Sequence, residues 1–457
     1  MSIFRPSQQF NPNTISNSGP VHQYYSITVT NDDSVSTAPL QLQYSETRTE
    51  PLISNPSNWF FSIIRFTIDT IGLPVFIPQI DLKSTTNAVP TWFSPSTTIY
   101  TITLTYTYTD QSTYLSTTYC SAATPVPWYP EAINSQVPFN DPTILTQDNS
   151  STWYYCYSYQ YWINMVNQAF TSAYNSLNDV VTDAGLVLPS SNPPFMSWNA
   201  SEAIAILNCD IGTETTGGYL TLYSDGNTSV CDPNTGINAF NYNQISIFFN
   251  SALYNLFNSF PMTRTDWGSS VNVLFPYDIN PSGQIQSTAY TSVPGGNIQI
   301  IVNSYGSVNI AQISTSPFST TSTSYCQVYQ EYSTTPAWNP ITSIVFTSAS
   351  IPVVAGNEGA PRIYDGKYNI QASNNAFIIM EITDFASSNA DYRGFINYTP
   401  SGEYRLIDLQ GNDPIKNIDI QCYWKDRFAI SRPFPLLAGG SCTLKCLFRK
   451  KSFSLGC

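Results

Sequence analysis

The chain has 457 residues and a formal net charge of −13, yet only 10% of its residues are charged, against roughly a quarter in an ordinary soluble protein. A chain of this length buries enough core to fold without disulfides or a metal, and its acidic body excludes the wrapping of nucleic acid over a large surface. Ser, Thr, Asn, Gln and Tyr fill the polar positions, giving a neutral surface with little colloidal repulsion that suits packing against copies of itself.

Residues 1–20, rich in Pro, Asn and Ser, read as an extended arm and lack the basic start and apolar run of a secretory leader. Tyr24–Thr30 follows as a strand. Asn58–Phe76 is apolar, but Arg65 and Asp69 interrupt it, so a membrane span is not expected. Thr98–Thr109 ("TIYTITLTYTYT") places Tyr100, Ile102, Leu104, Tyr106 and Tyr108 on one face and threonines on the other, the period-two pattern of a half-buried strand. Two segments break the β pattern. In Tyr161–Val181, Trp162, Val166, Ala169, Ala173, Leu177 and Val180 recur at helical steps. A second helix is predicted over Asn243–Phe260, with Ile245, Phe248, Phe249, Ala252, Leu253, Leu256 and Phe257 on a broad apolar face. Further strands are predicted at Asn297–Asn303, Ser307–Ser314, Phe377–Thr383, Tyr404–Gln410, Ile418–Trp424 and Cys442–Phe448, with Pro, Gly and Asn punctuation such as Gly411–Pro414 between them.

A loose internal repeat organises these elements. Asn58–Phe76 ("NWFFSIIRFTIDTIGLPVF") and Trp338–Val354 ("WNPITSIVFTSASIPVV") share a leading Trp, Ser-Ile, a Phe-Thr step and an apolar-Pro-Val turn, aligning Ser62 with Ser343, Phe66 with Phe346 and Pro74 with Pro352. The long interval predicts two similar β domains in tandem. The first is expected over residues 21–285 with its helical elaboration at about 160–260, and the second over 286–457.

Signals for chemistry are sparse. With one histidine, His22, beside the N-terminal arm, a nucleophilic triad has no shielded base. The nine scattered cysteines include no Cys-x-x-Cys pair, so they read as small buried apolar groups, with Cys442 and Cys446 sharing one strand face. Asp225–Gly236 has oxygen ligands at loop-like spacing but lacks the order of an EF-hand and reads as an Asx-rich turn. Sequons at Asn149, Asn199, Asn227 and Asn397 are chance matches in a chain of this composition. Acidic residues cluster at Glu381, Asp384, Asp391, Glu403, Asp408, Asp413, Asp419 and Asp426, but Asp408 and Asp419 alternate with apolar residues as solvent-facing carboxylates do, and no acid–base pair for glycoside hydrolysis stands out. No cofactor, metal or catalytic residue is expected.

Charge is distributed unevenly. Seven of the 17 basic residues lie from Lys425 onward with one acid, Asp426, which leaves ten basic against 29 acidic residues before it. Lys445, Arg449, Lys450 and Lys451 are the candidate anion-contacting residues, against the plainer reading of a solvated tail.

Asn55–Ile80 ("NPSNWFFSIIRFTIDTIGLPVFIPQI") and Tyr404–Lys451, with its Trp424-Lys425-Asp426 step, Pro-rich crossover, Gly439-Gly440 and basic closing strand, resemble the β-barrel structural proteins of small eukaryotic DNA viruses of the polinton-like and virophage type. The resemblance implies a mainly β chain with two jelly-roll-like barrel or sandwich domains. It also implies a capsid protein (major, vertex or minor) that assembles with itself and other capsid proteins in a virion formed inside the host cell. The charge asymmetry adds the expectation that the basic end faces the particle interior, against an anionic partner such as the genome or another subunit. The alternative is a carbohydrate-binding adhesin or spike that takes a host glycan through exposed Tyr and Trp, and a glycoside hydrolase stands third.

Overall fold

The computed structural model describes residues 21–32, 39–83, 95–109, 116–131, 147–210, 244–264, 298–300, 309–313, 323–354, 362–364, 370–372, 377–383, 394–399 and 405–451. The arm at 1–20, the Asp225–Gly236 turn, Asn227, Asp384, Asp391 and Glu403 lie outside them.

The chain is mainly β and divides into two compact units, Met1–Leu73 with Ile341–Cys457, and Pro74–Pro340. This differs from the contiguous halves 21–285 and 286–457, because the strands that open and close the chain are hydrogen-bonded neighbours. Among the described residues, eight of the strands of unit 1 build its two main sheets and are named here in chain order: β1 (His22–Thr30), β2 (Gln43–Thr47), β3 (Trp59–Asp69), β4 (Ile341–Ser348), β5 (Phe377–Ile382), β6 (Phe395–Tyr398), β7 (Asn417–Asp426) and β8 (Ser441–Lys450). One sheet runs β1-β8-β3-β6, and the other carries β2-β7-β4-β5. First strand beside last, and second beside seventh, is the double Greek key of a jelly roll. The other unit is inserted between β3 and β4, and each crossing falls at a proline, Pro74 and Pro340.

That insertion changes the meaning of the internal repeat. Its two strands are β3 and β4, one in each sheet of the same sandwich, and the aligned Phe66 and Phe346 meet edge-on with ring centroids 5.2 Å apart. Ser62 and Ser343 are both buried. The repeated pattern marks two facing core strands of one unit rather than one strand in each of two domains. The third pair of anchors is split, since Pro74 belongs to the inserted unit and Pro352 to the sandwich.

Among the described residues the inserted unit has two sheets. In one, Ser96–Thr109 pairs with Gln244–Phe249, Ser116–Cys120 and Thr124–Trp128; in the other, Ile204–Asp210 pairs with Phe195–Asn199 and Thr323–Tyr329. From Ile102 to Tyr106 the long strand is buried on both faces, Thr103 and Thr105 included, so this stretch is more enclosed than its alternation alone predicts. Helix α1 (Tyr159–Asp183) packs against strands of both sheets. Ser158 caps its N-terminus by accepting from the Tyr161 amide, and Gly185, at φ 75°, ends it with its N–H on the Thr182 carbonyl. Trp162, Val166, Ala169, Ala173 and Leu177 are fully buried as predicted, together with Ile163 and Phe170, while Val180 is 40% exposed and Val181 takes the inward position. The helix therefore fills the core of this unit rather than decorating it.

The second predicted helix is a correction. Gln244–Phe249 is a strand, and only Ser251–Leu256 is helical, capped by the Asn250 side chain on the Leu253 amide. Ile245, Ile247 and Phe249 alternate onto one face, and pairing of Gln244–Phe249 with Thr107–Ile102 supplies backbone partners that a helix would have replaced. Trp338, the leading Trp of the second repeat copy, is buried against Phe76, Tyr159, Trp198 and Phe257, and its indole N–H reaches the Leu256 carbonyl at 2.6 Å.

Candidate functional site

The outer face of the β1-β8-β3 sheet gathers the basic residues. On β8, Cys442, Leu444, Cys446 and Phe448 are buried toward the core, which turns Thr443, Lys445, Leu447 and Arg449 outward. In register, Lys445 lies between Ser26 of β1 and Arg65 of β3, and Arg449 lies between His22 and Phe60.

A β-bulge brings Arg65 to this face. Phe61 and Ile63 point to the core, and strict alternation would send residue 65 the same way. Instead the pairing with β8 shifts between Lys445 and Cys446, so that Cys446 opposes Ile63, Lys445 opposes Arg65, and Ile64 is the extra residue. Phe66 and Ile68 then return to the core and Arg65 is exposed. Re-aiming a side chain is what a bulge does. Arg65 escaped the sequence reading; the broken alternation at Ile63-Ile64-Arg65-Phe66 is the signal that could have found it.

Lys445 lies over the ring of Tyr24, 4.9 Å from its centroid, and Tyr24 is 56% exposed. Leu447, between Lys445 and Arg449 on this face, is buried, as is its neighbour Ser62. Among the described residues, Arg65, Lys445 and Arg449 form no ion pair with a carboxylate. The nearest acid on the outer face of β3 is Asp69, four residues beyond Arg65, whose carboxylate accepts from the Ile71 amide. Like charges set directly opposite on neighbouring strands are unfavourable, so the Lys445–Arg65 pairing is not explained by folding.

The four sequence-predicted residues part company here. Lys445 and Arg449 share the outer face, and Lys450 pairs with Trp59 at the sheet end. Lys451 has a structural role: its ammonium lies 3.0 Å from Asp408, donates to the Ser57 carbonyl at 2.8 Å and sits over the Phe60 ring. His22, set aside as a catalytic base, is exposed on β1 opposite Arg449.

Three acidic residues of the C-terminal cluster, Asp419, Glu381 and Asp426, serve the fold. Asp419 is half-buried, not solvent-facing: it accepts from the Ser348 hydroxyl at 2.9 Å and from the Ala349 and Ser350 amides at 2.9 and 2.7 Å. Burial alone would raise its pKa, but the hydrogen bonds from Ser350, Ala349 and Ser348 together hold the carboxyl below the usual carboxylate range. Glu381 is also lowered: burial works against it, and the hydrogen bonds from Lys425 and Ser343 win. Asp426 is buried in an ion pair with Arg432 at 2.8 Å. Among the described residues no group of three or more His, Cys, Asp or Glu is placed to hold a metal, and no helix is long and apolar enough to cross a membrane.

Comparison with known proteins places this geometry. The family model of the Sputnik minor capsid protein V18/19 matches residues 23–450. The chain belongs to that family. It is 31% identical over 160 residues to protein V18 of Sputnik virophage, a match covering 34% of this chain and 83% of V18. It is 28% identical over 130 residues to structural protein V19 of the same virophage, covering 28% of this chain and 58% of V19. A chain in the cryo-EM structure of the Sputnik virophage superposes with a TM-score of 0.64 at 22% identity, over 96% of this chain and all of that one, a likeness that shows the shared fold. The protein is a viral capsid structural protein and its place is the virion, as the resemblance implied.

Proposed function

We propose that this chain is a minor subunit of a virophage-type capsid that works by assembly, with copies of itself and with other capsid proteins, and carries out no catalysis. The match of the minor capsid family over residues 23–450 carries this reading, because it spans the jelly roll and the inserted unit together. The composition supports it physically. A surface with few charges offers little repulsion between copies, and exposed aromatics such as Tyr24, Tyr332, Phe395 and Phe428 supply contact area at low entropic cost. The acidic residues support the absence of catalysis: Asp408, Asp419, Asp426 and Glu381 each hold a structural partner.

The test is the mass of the full chain in solution by light scattering, with electron microscopy of the same fraction. Regular oligomers are expected. A monomer at all concentrations that binds glycans on an array would replace this reading with the adhesin.

A further inference from the structure

We propose that the outer face of the β1-β8-β3 sheet, with Arg65, Lys445 and Arg449, is a docking surface for an acidic patch on a second copy of this chain. The inference rests on the assembly reading and names the surface and the partner.

The face is built for an interaction that one copy does not supply. Three cations project from adjacent strands, and the bulge at Ile64 turns Arg65 outward to stand directly opposite Lys445. No described carboxylate neutralises them. Tyr24 adds a flat, half-exposed ring under Lys445, so the face combines charge with aromatic contact area.

Charge complementarity identifies the occupant. Ahead of Lys425 the chain holds 29 acidic and ten basic residues, so acidic side chains outnumber basic ones nearly three to one over the rest of each copy. Glu50, Asp179, Asp183, Glu202 and Asp413 are all exposed. A nucleic acid fits less well. A polyanion long enough to cover the face would run onto the acidic body, and Lys451, which would have extended the basic track, is held by Asp408 and backbone carbonyls. Steering between a basic patch and an acidic one also sets the orientation in which neutral, weakly repelling surfaces meet.

The experiment compares the full chain with the triple variant Arg65→Gln/Lys445→Gln/Arg449→Gln, and with Lys416→Gln as an exposed-cation control away from this face. Self-association is measured by sedimentation at about 0.05 M and about 0.5 M salt, which span weak and strong screening. The wild type and Lys416→Gln are expected to associate alike and to weaken in high salt. The triple variant should associate about tenfold more weakly at low salt and lose its salt dependence, with an unchanged circular dichroism spectrum. Arg449→Glu alone, at an exposed strand end, is a second variant expected to show the same loss if the triple variant fails to fold. Association unchanged in the folded variants overturns the docking surface and leaves the assembly reading intact. A wild type that stays monomeric at both salts overturns the assembly reading itself. Variants that associate like the wild type but lose its binding to a single-stranded oligonucleotide, read by fluorescence anisotropy, overturn the protein partner in favour of nucleic acid.

Discussion

Asp419 shows how this chain spends its few charges. Its carboxylate collects the Ser348 hydroxyl and two backbone amides where β4 ends, so it closes a turn that would otherwise leave donors unpaired. Hydrogen bonds to a charged acceptor contribute about 1.5–3 kcal/mol each when intact, and losing the acceptor strands its donors. Asp419→Ala is therefore expected to lower stability at pH 7 by about 2–4 kcal/mol, read from the urea midpoint. The pH dependence follows from the lowered folded-state pKa. The contribution is fully present above the unfolded carboxylate value, about 4, and is lost as pH falls through the folded value. Wild type and variant should converge as pH is lowered below that unfolded value; a gap that persists undiminished in acid would show that the carboxylate charge is not what stabilises the turn. The buried thiols give a second residue-scale expectation. Burial pushes Cys442 and Cys446 up to about 12, so neither is a thiolate at neutral pH. Alkylation of both at pH 8 should proceed only through global unfolding, at one shared rate that rises with added urea; fast labelling of either in the native protein would contradict their placement in the core.

Among the elements, α1 separates pattern from packing. Leu177 is fully buried and Val180, three residues on, is 40% exposed. Leu177→Ala should cost about 2–5 kcal/mol and Val180→Ala less than about 0.5 kcal/mol, by thermal or urea unfolding; equal costs would mean that the helix is rotated from the position described. The predicted stripe placed Val180 inward because three- and four-residue steps from Leu177 both suit a helix, and only the packing against two sheets chooses Val181. Strands were legible wherever large apolar residues alternate, as in Ser96–Thr109 and Ser441–Lys450. Gln244–Phe249 was not, because Phe248-Phe249 followed by Ala252-Leu253 mimics a helical face, and its strand identity comes from pairing with a segment over a hundred residues away. The basic surface was half legible for the same reason: Lys445 and Arg449 follow from the alternation of the last strand, whereas Arg65 joins them through a bulge and a register that the sequence does not print.

At the scale of the whole molecule, the order of strands in space departs most from their order in the chain. β8 is hydrogen-bonded on one side to β1 and on the other to β3, and β7 to β2, so the jelly roll is closed by pairings between the two ends of the chain. Local patterns carry no information about such contacts, which is why a repeat between β3 and β4 suggested tandem domains instead of two faces of one core. The division makes opposite forecasts for two excised segments. Pro74–Pro340 contains its own continuous core, from Val75 through α1 to Trp338, and should unfold cooperatively in urea with a near-ultraviolet signal from its packed tryptophans. Residues 286–457 keep β4 to β8 but lose β1, β2 and β3, leaving both edges of β8 and one partner of β7 unpaired over an exposed apolar face. That segment should give no cooperative transition and should aggregate through its open edges. If instead it folded as a stable monomer while Pro74–Pro340 did not, the chain would be two tandem domains, and the pairing of its first and last strands would have to be abandoned.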